Sequence, residues 1–156
     1  MAETLFEGEL FADYFQLLIG RPEVLPQAIP TDWNDDSLAD RLVCFPGGAV
    51  ATTERNMSVP VRVSLHADRP DGEDAADHVV SGWIETGGIL LVAGLMDDLA
   101  KTPRLAVPPG GLGVRVSSHG LDTLSVDGLD GDDRYAIALW PAPEFPLSVE
   151  RRFPLR

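Results

Sequence analysis

The sequence predicts an all-β protein, an antiparallel β-sandwich or, as the alternative, a flattened barrel, with one short helix. Three observations carry this expectation. Fifteen glycines and thirteen prolines cut the 156 residues into apolar runs of strand length. The run Val59 to Leu65 alternates strictly, with Val59, Val61, Val63 and Leu65 separated by Pro60, Arg62 and Ser64, as a strand with one buried and one wet face does. Strand-like and helix-like segments do not alternate in the β-α-β manner that builds a parallel sheet.

The elements follow in order. Leu10 to Ile19 reads as one strand, because Phe11, Tyr14 and Phe15 favour a pleated surface over a helix. Asp35 to Val43 reads as the helix. Thr31, Asp32 and Asn34 are its N-cap candidates, and Asp35 and Asp36 complement the positive end of the helix dipole. Gly48 to Glu54 is a strand entered from the Pro46-Gly47-Gly48 turn. His78 to Glu85 and Ile89 to Ala93 read as a hairpin, joined through Gly87 and Gly88, which supply the positive φ of a tight turn. Leu112 to Ser117 is a further strand with Val114 and Val116 on one face. Tyr135 to Trp140, apolar throughout, fits a central strand covered on both sides. A chain of this length with 44% apolar residues buries one core, so residues 1–156 are read as one sandwich domain.

Charge is the most informative feature for function. The formal net charge is −13, and the acids are bunched. Asp68 to Asp77 (DRPDGEDAAD) holds five acids against one arginine, and Asp122 to Asp133 (DTLSVDGLDGDD) holds five with no base. A field of one sign steers association with basic surfaces and repels nucleic acid and anionic membranes. The expected partner is therefore a basic protein, without direct nucleic-acid or membrane binding. The apolar runs are far shorter than the roughly 20 residues of a membrane span. The acidic N-terminus lacks the basic and apolar regions of a signal peptide, so a cytoplasmic location is expected.

No catalytic constellation is legible, and no cofactor or metal is expected. His66, His78 and His119 stand singly, without the close spacing that presents two ligands to one ion. DGLDGDD over Asp127 to Asp133 does not place its acids as an EF-hand loop does. GGLGVRV over Gly110 to Val116 lacks the third glycine and the following helix of a phosphate loop. Ser117, Ser118 and His119 are neighbours on a strand, which turns alternate side chains to opposite faces, and no nucleophile elbow surrounds them. Cys44, the sole cysteine, lies between Val43 and Phe45 and reads as a small buried hydrophobe. Trp83 and Trp140 read as core residues. Trp33, within TDWNDD, reads as a loop anchor over the open end of the sandwich or as an aromatic hot spot ringed by acids. The residues expected to meet a partner are Trp33, Asp35, Asp36, Asp71, Glu73, Asp74, Asp130, Asp132 and Asp133.

Several short patterns, taken in order, extend this reading. Tyr14-Phe15-Gln16-Leu17, Asp32-Trp33-Asn34-Asp35, Thr53-Glu54-Arg55 leading to Val59-Pro60-Val61, and Tyr135-Ala136-Ile137-Ala138-Leu139-Trp140 followed by Pro141-Ala142 together resemble the competence protein J family, inhibitors of the nuclease that admits DNA during competence. The resemblance runs through most of the chain. It implies a binding protein of the nuclease-inhibitor or immunity type, without catalysis of its own, whose basic partner is a nuclease or a toxin. Asp68 to Asp77 and Asp122 to Asp133 stand apart from the resemblance. A small-ligand-binding β-sandwich or barrel is the alternative, and a large apolar cavity lined from both sheets would favour it.

Overall fold

A computed structural model describes residues 2–27, 33–72 and 75–155. Eleven strands and one α-helix are found among them: β1 (Ala2–Phe11), β2 (Gln16–Gly20), α1 (Asp35–Asp40), β3 (Leu42–Phe45), β4 (Gly48–Thr52), β5 (Ser58–His66), β6 (His78–Thr86), β7 (Ile89–Gly94), β8 (Leu105–Ala106), β9 (Gly110–His119), β10 (Arg134–Pro141) and β11 (Ser148–Arg151). They form two sheets, β1-β5-β10-β9-β6-β11 and β3-β4-β2-β7-β8. The arrangement is a mainly antiparallel sandwich, without a closed barrel. Alternation decides the inner layer. Val59, Val61 and Val63 of β5, Leu112, Val114 and Val116 of β9, and Tyr135, Ile137 and Leu139 of β10 join Leu17, Ile19, Ala49, Ala51, Leu90 and Val92 of the smaller sheet in one buried cluster.

The outer face of the smaller sheet is also covered. Leu18, Val50 and Leu91 point away from the main core and are packed by Leu25, Trp33, Phe45, Leu95 and Leu99.

Three expectations are corrected by how the chain changes sheets. Leu10 to Ile19 is two strands, because β1 belongs to the larger sheet and β2 to the smaller. The turn Asp13–Phe15 carries the chain between them. Gly87 and Gly88 do not close a hairpin. They form a corner, with Gly88 at φ +113°, that takes the chain from β6, paired with β9 and β11, to β7, paired with β2 and β8. The helix starts where expected but ends at Asp40. Arg41 adopts a left-handed φ of 64° and Leu42–Phe45 pairs with β4 instead.

One pair is parallel. β5 runs alongside β10, with Tyr135 opposite Val61 and Leu139 opposite Leu65. β9 is antiparallel to β10, and β6 to β9, so β5 and β6 point the same way in one sheet. Two such strands require a crossover about a dozen residues long rather than a tight turn, and residues 67–77 supply it. Arg115 Nη1 donates to the Pro70 carbonyl at 2.6 Å, Arg151 Nη1 to the Ala76 carbonyl at 2.9 Å, and Asp77 N–H to the Ser118 carbonyl at 2.8 Å. Within the acid-rich run Asp68 to Asp77, the described residues 68–72 and 75–77 thus strap the outer face of the larger sheet.

The two tryptophans expected in the core lie on this outer face, Trp140 against Arg69 of the strap and Trp83 against Ala142. Trp83 and Trp140 point outward, away from the layer of Ile84 and Leu139. Trp140 is buried between Phe145, stacked at 6.1 Å, and the guanidinium groups of Arg69 and Arg115, each 5.6 Å from its ring. Trp83 is half-buried and donates its indole N–H to the Ala142 carbonyl at 2.9 Å. Gly113 lies opposite both in the ladder, and a Cβ there would run into the Trp140 indole.

Candidate functional site

The start of β5 sits opposite Phe11, Arg134 opposite His119, and His78 opposite Ser118. These strand ends define one end of the sandwich. Most of the residues singled out from the sequence converge there, through the segment Thr53-Glu54-Arg55. Thr53 N–H donates to the Phe15 carbonyl at 3.0 Å. Glu54 N–H donates to the Tyr135 hydroxyl at 2.8 Å, and that hydroxyl donates to Asp133 Oδ2 at 2.7 Å. Arg55 Nε meets Asp133 Oδ1 at 2.5 Å, and its Nη1 donates to the Leu129 carbonyl at 3.3 Å. The acidic loop is thereby moored beside the 13–15 turn.

Asp133 is consequently not a docking acid. It is fully buried, and both its oxygens are engaged. Burial, and then the neighbouring Asp133 carboxylate, push the Tyr135 hydroxyl well above its usual range, so it remains a donor. Asp130 and Asp132 are exposed on the same loop, and Asp35 and Asp36 are exposed on the first turn of α1. Asp71 is exposed on the strap, at the other face of the molecule, near Arg115 and His66. Glu73 and Asp74 lie outside the described residues, as do the N-cap candidates Thr31 and Asp32. The cap itself is Asn34, whose side chain accepts from Ser37 N–H at 2.9 Å while Ser37 Oγ accepts from Asn34 N–H at 3.0 Å.

Beside these acids is a groove of about 390 Å³ lined by Tyr14, Phe15, Trp33, Leu38, Glu54 and Leu155 over a floor that includes Arg41. Trp33 is half-buried and packs on the Leu18-Leu25-Val50-Leu91 cluster, so it anchors its loop and also forms a wall. Arg41 is buried. Its Nη1 meets Glu54 Oε1 at 2.6 Å and its guanidinium lies 5.7 Å from the Phe153 ring, while Nε and Nη2 have no hydrogen-bond partner among the described residues.

Sequence reasoning missed the residues that give this groove its character. Tyr14 and Phe15 are 64% and 46% exposed, and both sit in the left-handed region, at φ 55° and 62°. Each non-glycine residue there costs about 1–2 kcal/mol. The turn is held by Tyr14 N–H donating to Asn56 Oδ1 at 2.8 Å and Phe15 N–H donating to the Ala12 carbonyl at 3.0 Å. Glycine or asparagine would satisfy this backbone more cheaply. The sequence signals were the clustering of aromatics at 11, 14 and 15, which served equally to suggest a strand, and the place of Tyr14-Phe15 in the family resemblance.

The remaining chemistry is structural. The thiol of Cys44 rests against Gly82, where a Cβ would collide with its sulfur, and burial pushes its pKa up to about 11. Asp127 Oδ1 accepts from Ser125 Oγ at 2.6 Å and from Leu129 N–H at 3.1 Å, which turns the acidic loop back on its own backbone. Among the described residues no three His, Cys, Asp or Glu side chains are grouped to hold a metal ion, and no helix is long and apolar enough to cross a membrane.

Comparison with known proteins places the fold. No family model and no curated protein sequence matches the chain. Among solved structures it is similar to ComJ from Bacillus subtilis, inhibitor of the DNA degrading activity of NucA, with a TM-score of 0.66 and 16% identity over 91% of this chain and 99% of that one. It is also similar to the protein of crocagin biosynthetic gene J, with a TM-score of 0.58 and 18% identity over 92% of this chain and 99% of that one. At these identities the likeness is one of fold. It agrees with the resemblance to the competence protein J family read from the sequence.

Proposed function

We propose that this protein is a non-catalytic inhibitor of the nuclease-blocking type, docking through its acidic, aromatic-lined end on a basic partner. The observation that carries this reading is the fold shared with ComJ over nearly the whole of both chains. Charge supplies a mechanism. A nuclease presents cations to hold phosphates, and an acidic protein that occupies those cations excludes the substrate without chemistry of its own. Asp35, Asp36, Asp130 and Asp132 are exposed at the end where Trp33 and the groove lie, which suits such a surface better than the strap bearing Asp71. The ligand-binding alternative gains no support from a cavity of about 560 Å³ lined by Glu7, Glu9, Arg62, Arg134 and Ala136, because these residues belong to the larger sheet alone.

The test is capture of partners from the native cell at low salt, elution at high salt, and assay of the eluate for DNA cleavage. A nuclease should be recovered, and its activity should fall in proportion to added protein until one equivalent is reached. Cleavage that persists with the protein in tenfold excess would overturn the reading.

A further inference from the structure

Local strain in this protein gathers at one groove. Among the described residues, the non-glycine residues at positive φ are Tyr14, Phe15 and Arg41, and all three line the groove beside Trp33. Unmet hydrogen bonding falls in the same place. Arg41 is 3% exposed, and its Nε and Nη2 have no hydrogen-bond partner among the described residues. Gln16, the first residue of β2, lines the groove as well, and its buried Oε1 has none either. Buried polar atoms are nearly always hydrogen-bonded, and strained backbone clusters at sites that bind. Strained walls around unmet donors and an unmet acceptor suit an occupant that supplies the missing partners.

Charge and polarity select that occupant. Arg41 Nη1 meets Glu54 Oε1 at 2.6 Å, and the other lining residues carry no charge, so the groove is neutral and calls for a neutral guest. An amide answers both unmet needs, because its carbonyl accepts and its N–H donates. In an extended chain the N–H and carbonyl of one residue point to the same side, so a single residue can serve Arg41 and Gln16 together. The walls specify the side chain of that residue. Tyr14, Phe15, Trp33, Leu38 and Leu155 offer a large apolar surface, of which only Trp33 is packed on the protein's own cluster, and it matches a large apolar side chain.

We propose that this groove binds an extended segment of the partner protein, with one large apolar side chain against Tyr14, Phe15 and Trp33, and with the N–H and carbonyl of that residue bonded to Gln16 Oε1 and to Arg41 Nε and Nη2. The unpartnered atoms are closed to solvent, so entry of the segment parts the exposed Leu155 from the groove wall. The inference deepens the inhibitor reading, on which the identity of the partner rests. Exposed acids speed the encounter, and the groove slows release.

The probe is acetyl-phenylalanine N-methylamide, compared with three analogues. Acetyl-glycine N-methylamide lacks the side chain, O-acetyl-phenyllactic acid N-methylamide has an ester oxygen in place of the N–H, and acetyl-phenylalanine ends in a carboxylate. Titration followed by nuclear magnetic resonance should shift the signals of Tyr14, Phe15, Trp33 and Leu155. The glycine analogue should bind about tenfold more weakly, and the ester about threefold more weakly, as expected for one lost hydrogen bond. Gln16→Met keeps the side-chain length without the acceptor. It should erase the difference between amide and ester while leaving Tm unchanged or higher, because an unmet buried acceptor is gone. Arg41→Lys, which keeps a cation for Glu54, should weaken amide and ester alike by about threefold or more. Phe15→Gly should weaken both by about tenfold with Tm unchanged or higher, because glycine relieves the left-handed backbone. An amide–ester difference that survives Gln16→Met overturns the proposal. So does tighter binding of the carboxylate, which would make the groove an anion site, and so do groove signals that move with protein concentration alone, which would assign it to a second copy of this chain. The two readings separate. If a captured nuclease is inhibited equally by wild type and Phe15→Gly, the groove is not its dock and the inhibitor reading stands. If the probe binds as described and no nuclease is inhibited, the groove stands and the inhibitor reading falls.

Discussion

Asp133 and Arg55 form a buried ion pair in which Asp133 Oδ2 also accepts the Tyr135 hydroxyl. Asp133→Ala leaves a nearly buried guanidinium and a phenol without their acceptor, and breaking a buried pair from one side costs about 3–5 kcal/mol. The urea midpoint should fall accordingly, and Arg55→Met combined with Asp133→Leu should recover much of the loss. No local pattern separates Asp133 from Asp130 and Asp132, since all three stand in one acidic run. The distinction arises because Asp133 directly precedes β10 and meets an arginine 78 residues away. A second residue couples stability to pH. His78 Nδ1 accepts from Phe153 N–H at 3.1 Å, while Nε2 lies 2.8 Å from the Asp40 carbonyl. The ring is therefore neutral and carries its proton on Nε2. Burial first, then Arg41 and Arg152, hold its pKa below the usual 6.5, against the opposing pull of Asp40. The unfolded chain takes up this proton before the folded one, so the contribution of His78 is complete above pH 6.5 and is lost as pH falls through the depressed folded value. His66 is also held low, chiefly by burial, and acts in the same direction. Urea midpoints measured at pH 7.5 and 5.5 should differ, with a smaller difference in His78→Gln. An equal difference in the variant would remove His78 from this role.

At the scale of elements, the strands with a period of two were legible. β5 and β9 were placed to within a few residues because alternation there follows from one face meeting the core, and β10 because an unbroken apolar run suits a strand covered on both sides. Connections were not legible. Gly87-Gly88 carries the chemistry of a tight turn whether the next strand pairs with the last or crosses to the other sheet, and only long-range pairing decides between them. The parallel register of β5 and β10 is likewise invisible locally, so a crossover rich in acids was indistinguishable from a free acidic loop. β11 and all of β1 before Leu10 were missed because Glu3, Glu7 and Glu9 and Glu150 and Arg151 break the apolar pattern at the two edges of the larger sheet. The helix was legible through its cap. Six residues are too few to persist unaided, so the Asn34–Ser37 box should matter more than its surface position suggests. Asn34→Ala is expected to cost about 1 kcal/mol. Since α1 carries Leu38 and leads into Arg41, hydrogen exchange should rise first at residues 37–41. Unchanged protection there would show that Trp33 and the groove, rather than the cap, hold the helix.

For the whole molecule, the charge of −13 was plain from the sequence, but its distribution was not. The strap places Asp71 on the outer face of the larger sheet, where Arg69 and Arg115 share Glu150, so the field there is partly cancelled. Asp130 and Asp132 differ in being exposed on a loop whose buried arginine contact, Arg55, is already paired with Asp133. Rim charges act mainly on the association rate, and their reach shrinks from about 8 Å at physiological ionic strength to about 3 Å at 1 M. The association rate with a basic partner should therefore fall steeply with salt while the dissociation rate hardly moves. Asp130→Asn with Asp132→Asn should slow association several-fold, Asp71→Asn should do so much less, and Trp33→Ala should instead raise the dissociation rate by about tenfold, the equivalent of 1.4 kcal/mol. Stopped-flow measurements across a salt series distinguish these outcomes. An association rate indifferent both to salt and to the paired neutralisation would reduce the acidic loop to a solubility device and leave the aromatic groove to account for binding alone.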